Sequence, residues 1–392
     1  MKKIYYITAV FVTLFLTGCG DGIDLPGVNV ETDLNKIPLP DNNVNLEQVE
    51  LKPSTEPMLH EGLHTEEDFQ RIRDKKAAGE EPWVSAYQLL VESQFSQKTA
   101  DTYPTEWIKR GVSGDENYMN AARGATIAYQ QALRWKIEQD DEYAAKAVEN
   151  LNKWVQTCVG VTGNTNLSLA AGLYGYEFAV AGELLRDYEG WDRADFAAFQ
   201  NWLLKVFYPA NDDFLKRHHD TNALHYWANW CLCNIAAKMA IGIVTDRRDI
   251  YNEGIDHLQT GDTNGRLRRA IYHDYAPDYN FAQWQESGRD QGHTLMCVGL
   301  MGVICQLAWS QGDDFFAYDD NLFMRACEYA ACCNYTNETV PYTTYIWQKQ
   351  SQWGYPIPEE QTTLGGGKWI KRAIWALPYY CLLYTSDAAD EA

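Results

Sequence analysis

The sequence lacks the positive charge that a nucleic-acid-binding protein needs. Its 392 residues carry 33 Lys and Arg against 54 Asp and Glu, which gives a formal net charge of -21. Nucleic acid requires a basic face, so this balance argues against such a partner. It does not exclude a polyanionic substrate, because a local basic pocket can lie inside an acidic protein. Large-scale disorder is also excluded, since 46% of the residues are apolar and 22% are charged.

No cofactor and no catalytic metal are expected. His218 and His225 are seven residues apart and compatible with one helix face, but no carboxylate spacing completes a metal site there. The ten cysteines do not follow a zinc motif either. Most of them lie in apolar surroundings, where a cysteine behaves as a small hydrophobic residue.

The N-terminus predicts export. Two lysines precede an apolar run over residues 4–16 that is too short to span a membrane. The run ends in Leu-Thr-Gly-Cys, which resembles a bacterial lipobox, so residues 1–19 are expected to be a lipoprotein signal with Cys19 as the lipidation site. A plain secretory signal is the alternative. Residues 20–58 read as a flexible linker. We expect an outer-membrane lipoprotein, on the periplasmic face or the cell surface, that meets the membrane only through its lipid.

From about residue 65 the apolar residues recur with the period of an α-helix. Thr65, followed by Glu66 and Glu67, has the features of a helix N-cap and an acidic first turn. Paired helical segments with short connectors follow, over residues 117–139, 141–157, 167–188, 193–208, 226–243, 249–259, 293–311 and 316–334.

These pairs, with few convincing strands, predict an all-α fold. We expect an (α/α) toroid or incomplete barrel over residues 59–383, with a cleft at its loop end. A helical solenoid built for binding is the alternative. Residues 384–392 resemble translated adapter sequence and read as a non-native tail.

Basic residues and histidines are concentrated in three connecting segments, 216–230, 265–275 and 283–293. Five of the eight histidines fall there. Loops at one end of a toroid commonly carry its function, so convergence of these segments predicts an active-site cleft. The candidate substrate-binding residues in them are His219, Asn222, Trp227, Asn229, His273, Trp284, Gln285, Glu286, Arg289 and His293.

This mixture of side chains suits β-elimination from a uronic acid polymer. Arg, His and Asn donors can neutralise the carboxylate next to C5, so that the developing enediolate spreads its charge. A tyrosine can remove the C5 proton and protonate O4 if a nearby arginine lowers its pKa. Two Arg–Tyr pairs share a six-residue spacing, Arg266 with Tyr272 and Arg269 with Tyr275.

Three motifs resemble the alginate-lyase-like α/α-toroid polysaccharide lyases, and most closely polysaccharide lyase family 38. They are Ala-Tyr-Gln-Gln-Ala-Leu-Arg-Trp at 128–135, His-Tyr-Trp-Ala-Asn-Trp at 225–230, and Gln-Glu-Ser-Gly-Arg-Asp-Gln-Gly-His at 285–293. The resemblance covers about residues 60–380. It implies alginate, particularly its mannuronate-rich stretches, as the anionic polysaccharide partner.

A more distant resemblance to the family 5 lyases lies in Tyr-Trp-Ala at 226–228, Thr-Asp-Arg-Arg-Asp at 245–249 and Tyr-His-Asp-Tyr-Ala at 272–276. It implies that an Asn–His pair and an Arg–Tyr pair carry the reaction. Tyr272 with Arg266 is then the first choice for the catalytic pair, and Tyr275 with Arg269 the second. An adjacent Asn–His is absent from this sequence, where Ala and Leu stand at 223 and 224. His218, His219 and His225 are therefore all candidates for the residue that neutralises the carboxylate.

Several of these residues also have a structural interpretation. The spacing of Trp227 and Trp230 suits a helical core as well as a sugar platform. Glu286, Arg289 and Asp290 are equally compatible with a buried ion-pair network that shapes the floor of the cleft.

Three functions remain open: a polysaccharide lyase, which we expect to be monomeric, a non-catalytic glycan-binding lipoprotein, and an α/α-barrel glycoside hydrolase. A hydrolase needs two carboxyl groups that flank the scissile bond. Glu286 and Asp290 are the available pair, but they lie four residues apart on one short segment. The Arg–Tyr spacing and the dense His and Arg loops favour the lyase.

Overall fold

The structure, a computed structural model of the chain, describes residues 54–351 and 354–379. In that part of the chain twelve α-helices form the body of the protein. They are α1 (Glu66–Ala77), α2 (Trp83–Glu92), α3 (Tyr118–Glu138), α4 (Asp141–Thr157), α5 (Leu167–Leu184), α6 (Arg193–Val206), α7 (Tyr208–Arg217), α8 (Ala228–Val244), α9 (Arg248–Thr260), α10 (Leu267–Ala270), α11 (Gln291–Trp309) and α12 (Tyr318–Tyr335). The eight predicted helical segments are confirmed, with ends that differ from the prediction by at most four residues.

Local signals explain where several helices begin. The Thr65 hydroxyl accepts a hydrogen bond from the Asp68 amide at 3.2 Å, and the Asp68 carboxylate accepts one from the Thr65 amide at 2.9 Å. This reciprocal capping box satisfies two amide groups at the start of α1. Asp140 caps α4 in the simpler way, since its carboxylate accepts from the Glu142 amide at 3.0 Å.

Helices α3, α5, α8 and α11 form an inner row. Every residue of α8 is buried, and α5 and α11 are nearly as enclosed. Helices that are apolar on all sides belong in a core. Helix α11 is long and apolar enough to span a membrane, but most of it is buried among its neighbours, so it is a core helix.

The outer helices are amphipathic and cover this row. Helix α4 packs on α3, α7 on α5 and α8, α9 on α8, and α12 on α11. The first turns of α5, α8 and α11 meet the same loops, since Ser168 contacts His219 and the first amides of α8 donate to Gln285 and Glu286 just before α11. These inner helices therefore run in the same direction. The fold is therefore an (α/α) toroid, as expected, and the N-terminal ends of its inner helices lie together at one end.

Among the described residues six short strands lie near this end. Strand β1 (Trp107–Arg110) pairs in parallel with β2 (Gly160–Gly163), and β3 (Ile271–Asp274) pairs antiparallel with β4 (Ala282–Trp284). Near the C-terminus, β5 (Tyr345–Gln350) and β6 (Pro356–Gln361) form an antiparallel hairpin. The sequence prediction included none of them.

The first described residues lie at the opposite end, beside the turn from α8 to α9. The Arg248 guanidinium donates to the carbonyls of Glu56 and Pro57 at 2.8 and 2.9 Å, and the Asn252 amide donates to the Ser54 carbonyl at 2.9 Å. The predicted signal (1–19), most of the predicted linker and the predicted tail (384–392) lie outside the described residues. The eight cysteines of the described part are free thiols, and all but Cys332 are buried.

Candidate active site

The three basic segments converge at the end where the inner helices begin. The first connects α7 to α8, the second contains α10 and β3, and the third runs from β4 into α11. The residues that follow α12, including β5, lie over them. The cleft expected from the sequence is therefore built from loops that are distant along the chain.

Tyr272 lies on β3 with only 6% of its surface exposed. Its hydroxyl donates a hydrogen bond to the main-chain carbonyl of Thr343. Its ring lies 4.8 Å from that of Tyr345. Burial raises the pKa of Tyr272 well above its ordinary value, with smaller contributions from Tyr275 and Tyr342. Its phenol is consequently protonated in this state.

The second candidate, Tyr275, meets the same threonine. Its hydroxyl donates to the side-chain oxygen of Gln283 and lies 3.1 Å from the Thr343 hydroxyl. Burial raises its pKa as well. Thr343 therefore contacts both candidate tyrosines, one through its carbonyl and one through its side chain.

Tyr272 and Arg269 line one small, partly open cavity. Its lining consists of Leu224, Asn264, Arg269, Tyr272, Gln285, Tyr345, Ile346, Trp347 and Gln348. Arg269 is the one cation in this set, and the set contains no carboxylate. Within the described part of the chain Arg269 forms no ion pair within 4 Å, although the Asp262 carboxylate acts on it from farther away, and its buried Nε has no hydrogen-bond partner. Burial, followed by the charge of Arg266, lowers its pKa.

The three candidate histidines have different surroundings. His218 is almost fully buried, its ring lies 4.9 Å from Phe214, and its Nε2 lies 3.8 Å from the Cys231 sulfur. The Nε2 of His219 lies 2.9 Å from the Ser168 hydroxyl. The Nδ1 of His225 accepts a hydrogen bond from the Gln350 amide at 2.8 Å.

All three imidazoles are neutral at physiological pH. Burial lowers the pKa of His218 to about 3, helped by the neighbouring imidazoles, and it also lowers the pKa of His219. Burial, followed by the charge of Lys349, lowers the pKa of His225 to about 4. None of them contributes positive charge, so each can help an anion only through an N–H that has no other partner.

Gln285 and Glu286 support the start of α8. The Gln285 side-chain oxygen accepts from the Ala228 amide at 3.0 Å, and a Glu286 carboxylate oxygen accepts from the Asn229 amide at 3.1 Å. These are first-turn amides that lack a partner inside the helix, and the helix dipole favours an anion beside them. Glu286 is fully buried and also pairs with Arg289 at 3.3 Å. This placement fits the structural interpretation of Glu286.

Other candidate residues also have structural partners. Asn229 and Trp284 are fully enclosed, and the indole of Trp284 donates to the Ala326 carbonyl at 2.8 Å. His293 lies against Asp290, whose carboxylate caps α11. Trp227 is partly exposed, and its ring lies 4.5 Å from the Trp347 ring and 5.2 Å from the Arg289 guanidinium. The His273 ring packs on the Tyr275 ring at 4.5 Å.

The sequence contains one His-Glu-x-x-His pattern, at residues 60–64, outside the three basic segments. Such a pattern binds zinc when both histidines lie on one face of a helix. Here it precedes α1, and the Nε2 atoms of His60 and His64 contact Asp246 and the Tyr129 hydroxyl instead. Among the described residues no group of three His, Cys, Asp or Glu side chains is placed to hold a metal.

Sequence reasoning missed the contribution of β5 and the residues just before it. Thr343, Tyr345, Trp347 and Gln350 all contact candidate site residues, yet none was proposed from the sequence. The signal available was the run of aromatic and β-branched residues at 345–347, which favours a strand.

The sequence of the chain from residue 72 to residue 338 matches the family model for alginate lyases. The match covers about two thirds of the chain. This protein belongs to the alginate lyase family. It is consequently a polysaccharide lyase, and the finer likeness to family 38 stays a prediction.

The solved structures to which this chain is similar include alginate lyases. Alginate lyase A1-III from Sphingomonas species A1 is 13% identical with a TM-score of 0.47, and the similarity covers 68% of this chain and 77% of that one. An alginate lyase from Bacteroides ovatus is 15% identical with a TM-score of 0.49, over 69% of this chain and 80% of that one. No curated protein sequence matches the chain significantly.

Proposed function

We propose that this protein cleaves alginate, preferentially in mannuronate-rich stretches, by β-elimination. The observation that carries the proposal is the cavity that Arg269 shares with Tyr272. A cavity lined by one unpaired cation, several hydrogen-bond donors and no carboxylate suits a sugar that bears a carboxylate. Membership of the alginate lyase family supports the same substrate class.

Arg269 is the proposed carboxylate ligand. A guanidinium can donate two parallel hydrogen bonds to a carboxylate, and the low dielectric of a buried site strengthens them. The neutral imidazole of His225 is the proposed second donor. Together they stabilise the enediolate that forms when C5 loses its proton, which is the step that most needs charge stabilisation.

Tyr272 is the proposed base and acid. As a phenolate it removes the C5 proton, the electrons of the C–H bond form the C4=C5 double bond, and the C4–O4 bond breaks. The proton then passes from the phenol to O4 of the leaving sugar. Because burial raises the pKa of Tyr272, its ionisation requires the nearby cation and release from the Thr343 carbonyl.

The alternative functions have less support. A hydrolase needs two carboxyl groups in the cleft, but Glu286 is buried beneath α8 and Asp290 caps α11. A purely glycan-binding protein would not need an unpaired arginine beside a buried tyrosine.

A product assay separates these functions. The purified protein is incubated with polymannuronate, polyguluronate and polyglucuronate, and the ultraviolet absorbance of the C4=C5 product is followed. Absorbance that rises fastest with polymannuronate is the expected result. New reducing ends without that absorbance would indicate hydrolysis, and binding without either product would indicate a glycan-binding protein.

We also propose that the protein is an exported monomeric lipoprotein anchored to the outer membrane through Cys19. The lipobox-like sequence supports this location. Metabolic labelling with a fatty acid tests it, because a Cys19→Ser variant should lose the label and leave the membrane fraction. A labelled Cys19→Ser variant would contradict the assignment.

A further inference from the structure

Strand β5 contributes to the site although it lies beyond residue 338, where the family match ends. Tyr345, Trp347 and Gln348 line the cavity beside Tyr272. The last residue of the strand, Gln350, contacts the loop that carries the candidate histidines. Neither the family match nor the resemblance in the sequence assigns a role to this residue.

The main chain of Gln350 determines which nitrogen of His225 can carry a proton. Its amide donates to Nδ1 of His225 at 2.8 Å. A nitrogen that accepts a hydrogen bond bears no proton, so the neutral imidazole must be protonated at Nε2. Gln350 pairs with Pro356 in the hairpin, and the main-chain amide of Gln350 donates to the imidazole.

The side chain of Gln350 holds the same loop at a second point. Its Oε1 accepts hydrogen bonds from the main-chain amide of Asn222 at 3.2 Å and from the side-chain amide at 2.9 Å. The Asn222 side chain also donates to the Gln348 carbonyl at 3.1 Å and accepts from the Leu224 amide at 3.0 Å. Asn222 is thereby fully engaged in shaping the loop, which leaves donation to a ligand to His225.

Trp347 fixes the imidazole from a third direction. Its indole nitrogen donates to the His225 carbonyl at 2.7 Å. The two rings are nearly parallel, with 13° between their planes and 6.1 Å between their centres. The ring can therefore neither flip nor shift without loss of the contacts to β5.

We propose that Gln350 is a positioning residue that holds His225 as the Nε2–H tautomer, a neutral hydrogen-bond donor for a uronate carboxylate. Gln350 thus brings Asn222 and His225 together, although the two are not adjacent in the sequence. The inference rests on the proposed function for the identity of the ligand, but the tautomer itself does not depend on it.

Nuclear magnetic resonance of protein labelled with ¹⁵N-histidine tests the tautomer directly. The His225 signals are assigned by their loss in His225→Gln. The wild-type protein at neutral pH should show His225 with a protonated Nε2 and an unprotonated Nδ1. A protonated Nδ1, or a doubly protonated ring, in the wild-type protein would overturn the proposal even if no Gln350 variant folds.

Two variants of the same residue separate its two contacts. Gln350→Pro removes the amide donor, so the His225 signals should shift toward a mixture of tautomers, and kcat on polymannuronate should fall about 10-fold or more, as when other orienting contacts of functional histidines are lost. Gln350→Ala keeps the amide, so the Nε2–H tautomer should persist. Unchanged His225 signals in a folded Gln350→Pro protein would refute the proposal.

The exposed Ile357 on β6 provides the control, because Ile357→Ala alters the same hairpin away from the cleft. It should leave both the tautomer and kcat unchanged, and a shift equal to that of Gln350→Pro would mean that hairpin stability alone sets the tautomer. If the wild-type protein shows the expected tautomer but no lyase activity on any uronan, the proposed function fails and the assignment of Gln350 stands.

Discussion

The Tyr272 hydroxyl donates its hydrogen bond to the Thr343 carbonyl, so the residue proposed as the catalytic base is engaged by the segment that leads into β5. A phenol that donates to a carbonyl retains its proton, and burial reinforces that state. Substrate binding must therefore replace the Thr343 contact before the C5 proton can be removed.

Tyr272→Phe should abolish turnover and leave binding largely intact. The substitution removes one oxygen from a residue that fills the same volume, so the cavity keeps its shape. A residue that transfers a proton typically raises the reaction rate about 10²–10⁴-fold, and we expect kcat to fall by roughly that factor. The measurements are the rate of C4=C5 formation and the affinity for a mannuronate oligosaccharide determined by calorimetry.

The matched control is Tyr275→Phe, which removes the hydroxyl that meets Thr343 from the other side. It should retain more than about a tenth of the wild-type kcat, because loss of a single supporting hydrogen bond costs about 1 kcal/mol. The opposite ranking of the two variants would assign catalysis to Tyr275.

Arg269→Lys should lower the activity although it retains the positive charge. Lysine cannot offer two parallel donors to a carboxylate, so the substitution removes the bidentate contact with the substrate and with the enediolate. We expect kcat/KM to fall about 10²–10³-fold, the range found when a donor to a developing oxyanion is removed. The measurement is kcat/KM on polymannuronate.

Two further lysine variants test this assignment. Arg247→Lys lies at the other end of the toroid, in an exposed pair with Asp249, and should behave as the wild type. Arg266→Lys tests the pairing that the sequence favoured. A larger loss in Arg266→Lys than in Arg269→Lys would restore Arg266 as the partner of Tyr272.

The sequence could not decide which arginine lies beside which tyrosine. The equal spacing of Arg266–Tyr272 and Arg269–Tyr275 left both pairs open, and the structure places Arg269 and Tyr272 at one cavity. The short helix α10 and the β-bulge in the β3–β4 pair decide which side chains face each other. Neither feature has a signal in spacing alone.

The helices were predictable because their signals are local. Thr65 begins α1 with a capping box, and the apolar composition of α8 and α11 already indicates core helices. The β5–β6 hairpin was not predictable, because Pro356 and Pro358 in β6 argue against a strand. Gln350 and Thr343 could be recognised only from contacts between residues far apart in the chain.

Glu177→Gln should stabilise the protein at neutral pH. Glu177 is almost fully buried in α5, its Oε2 has no hydrogen-bond partner, and burial raises its pKa well above 4.5. Above about pH 4.5 the carboxyl group of Glu177 loses its proton in the unfolded chain but keeps it in the folded protein. The unfolded state is therefore favoured as the pH rises. Stability is therefore lost as pH rises above about 4.5, with a slope of up to about 1.4 kcal/mol per pH unit, until the folded pKa is reached.

Urea unfolding at several pH values measures this effect. The difference in the free energy of unfolding between Glu177→Gln and wild type should be near zero at acidic pH and should grow toward neutral pH. Glu189→Gln, at an exposed position, should show no such trend. A constant difference across the whole range would mean that Glu177 does not titrate with a raised pKa.

Gly288→Ala should disturb the cavity although residue 288 is not among its lining residues. A Cβ at this position would lie 2.6 Å from the Tyr342 hydroxyl and 3.0 Å from the Tyr345 hydroxyl. The Cβ of Gln361 on β6 would lie 2.8 Å away, so the hairpin or the two tyrosine side chains must shift, and Tyr345 packs on Tyr272. Overpacking of this kind typically costs about 1–3 kcal/mol. We expect a lower melting temperature together with a reduced kcat, whereas Gly366→Ala, with no atom within 4 Å of the new Cβ, should change neither. Full activity together with an unchanged melting temperature in Gly288→Ala would contradict the expected crowding at this position.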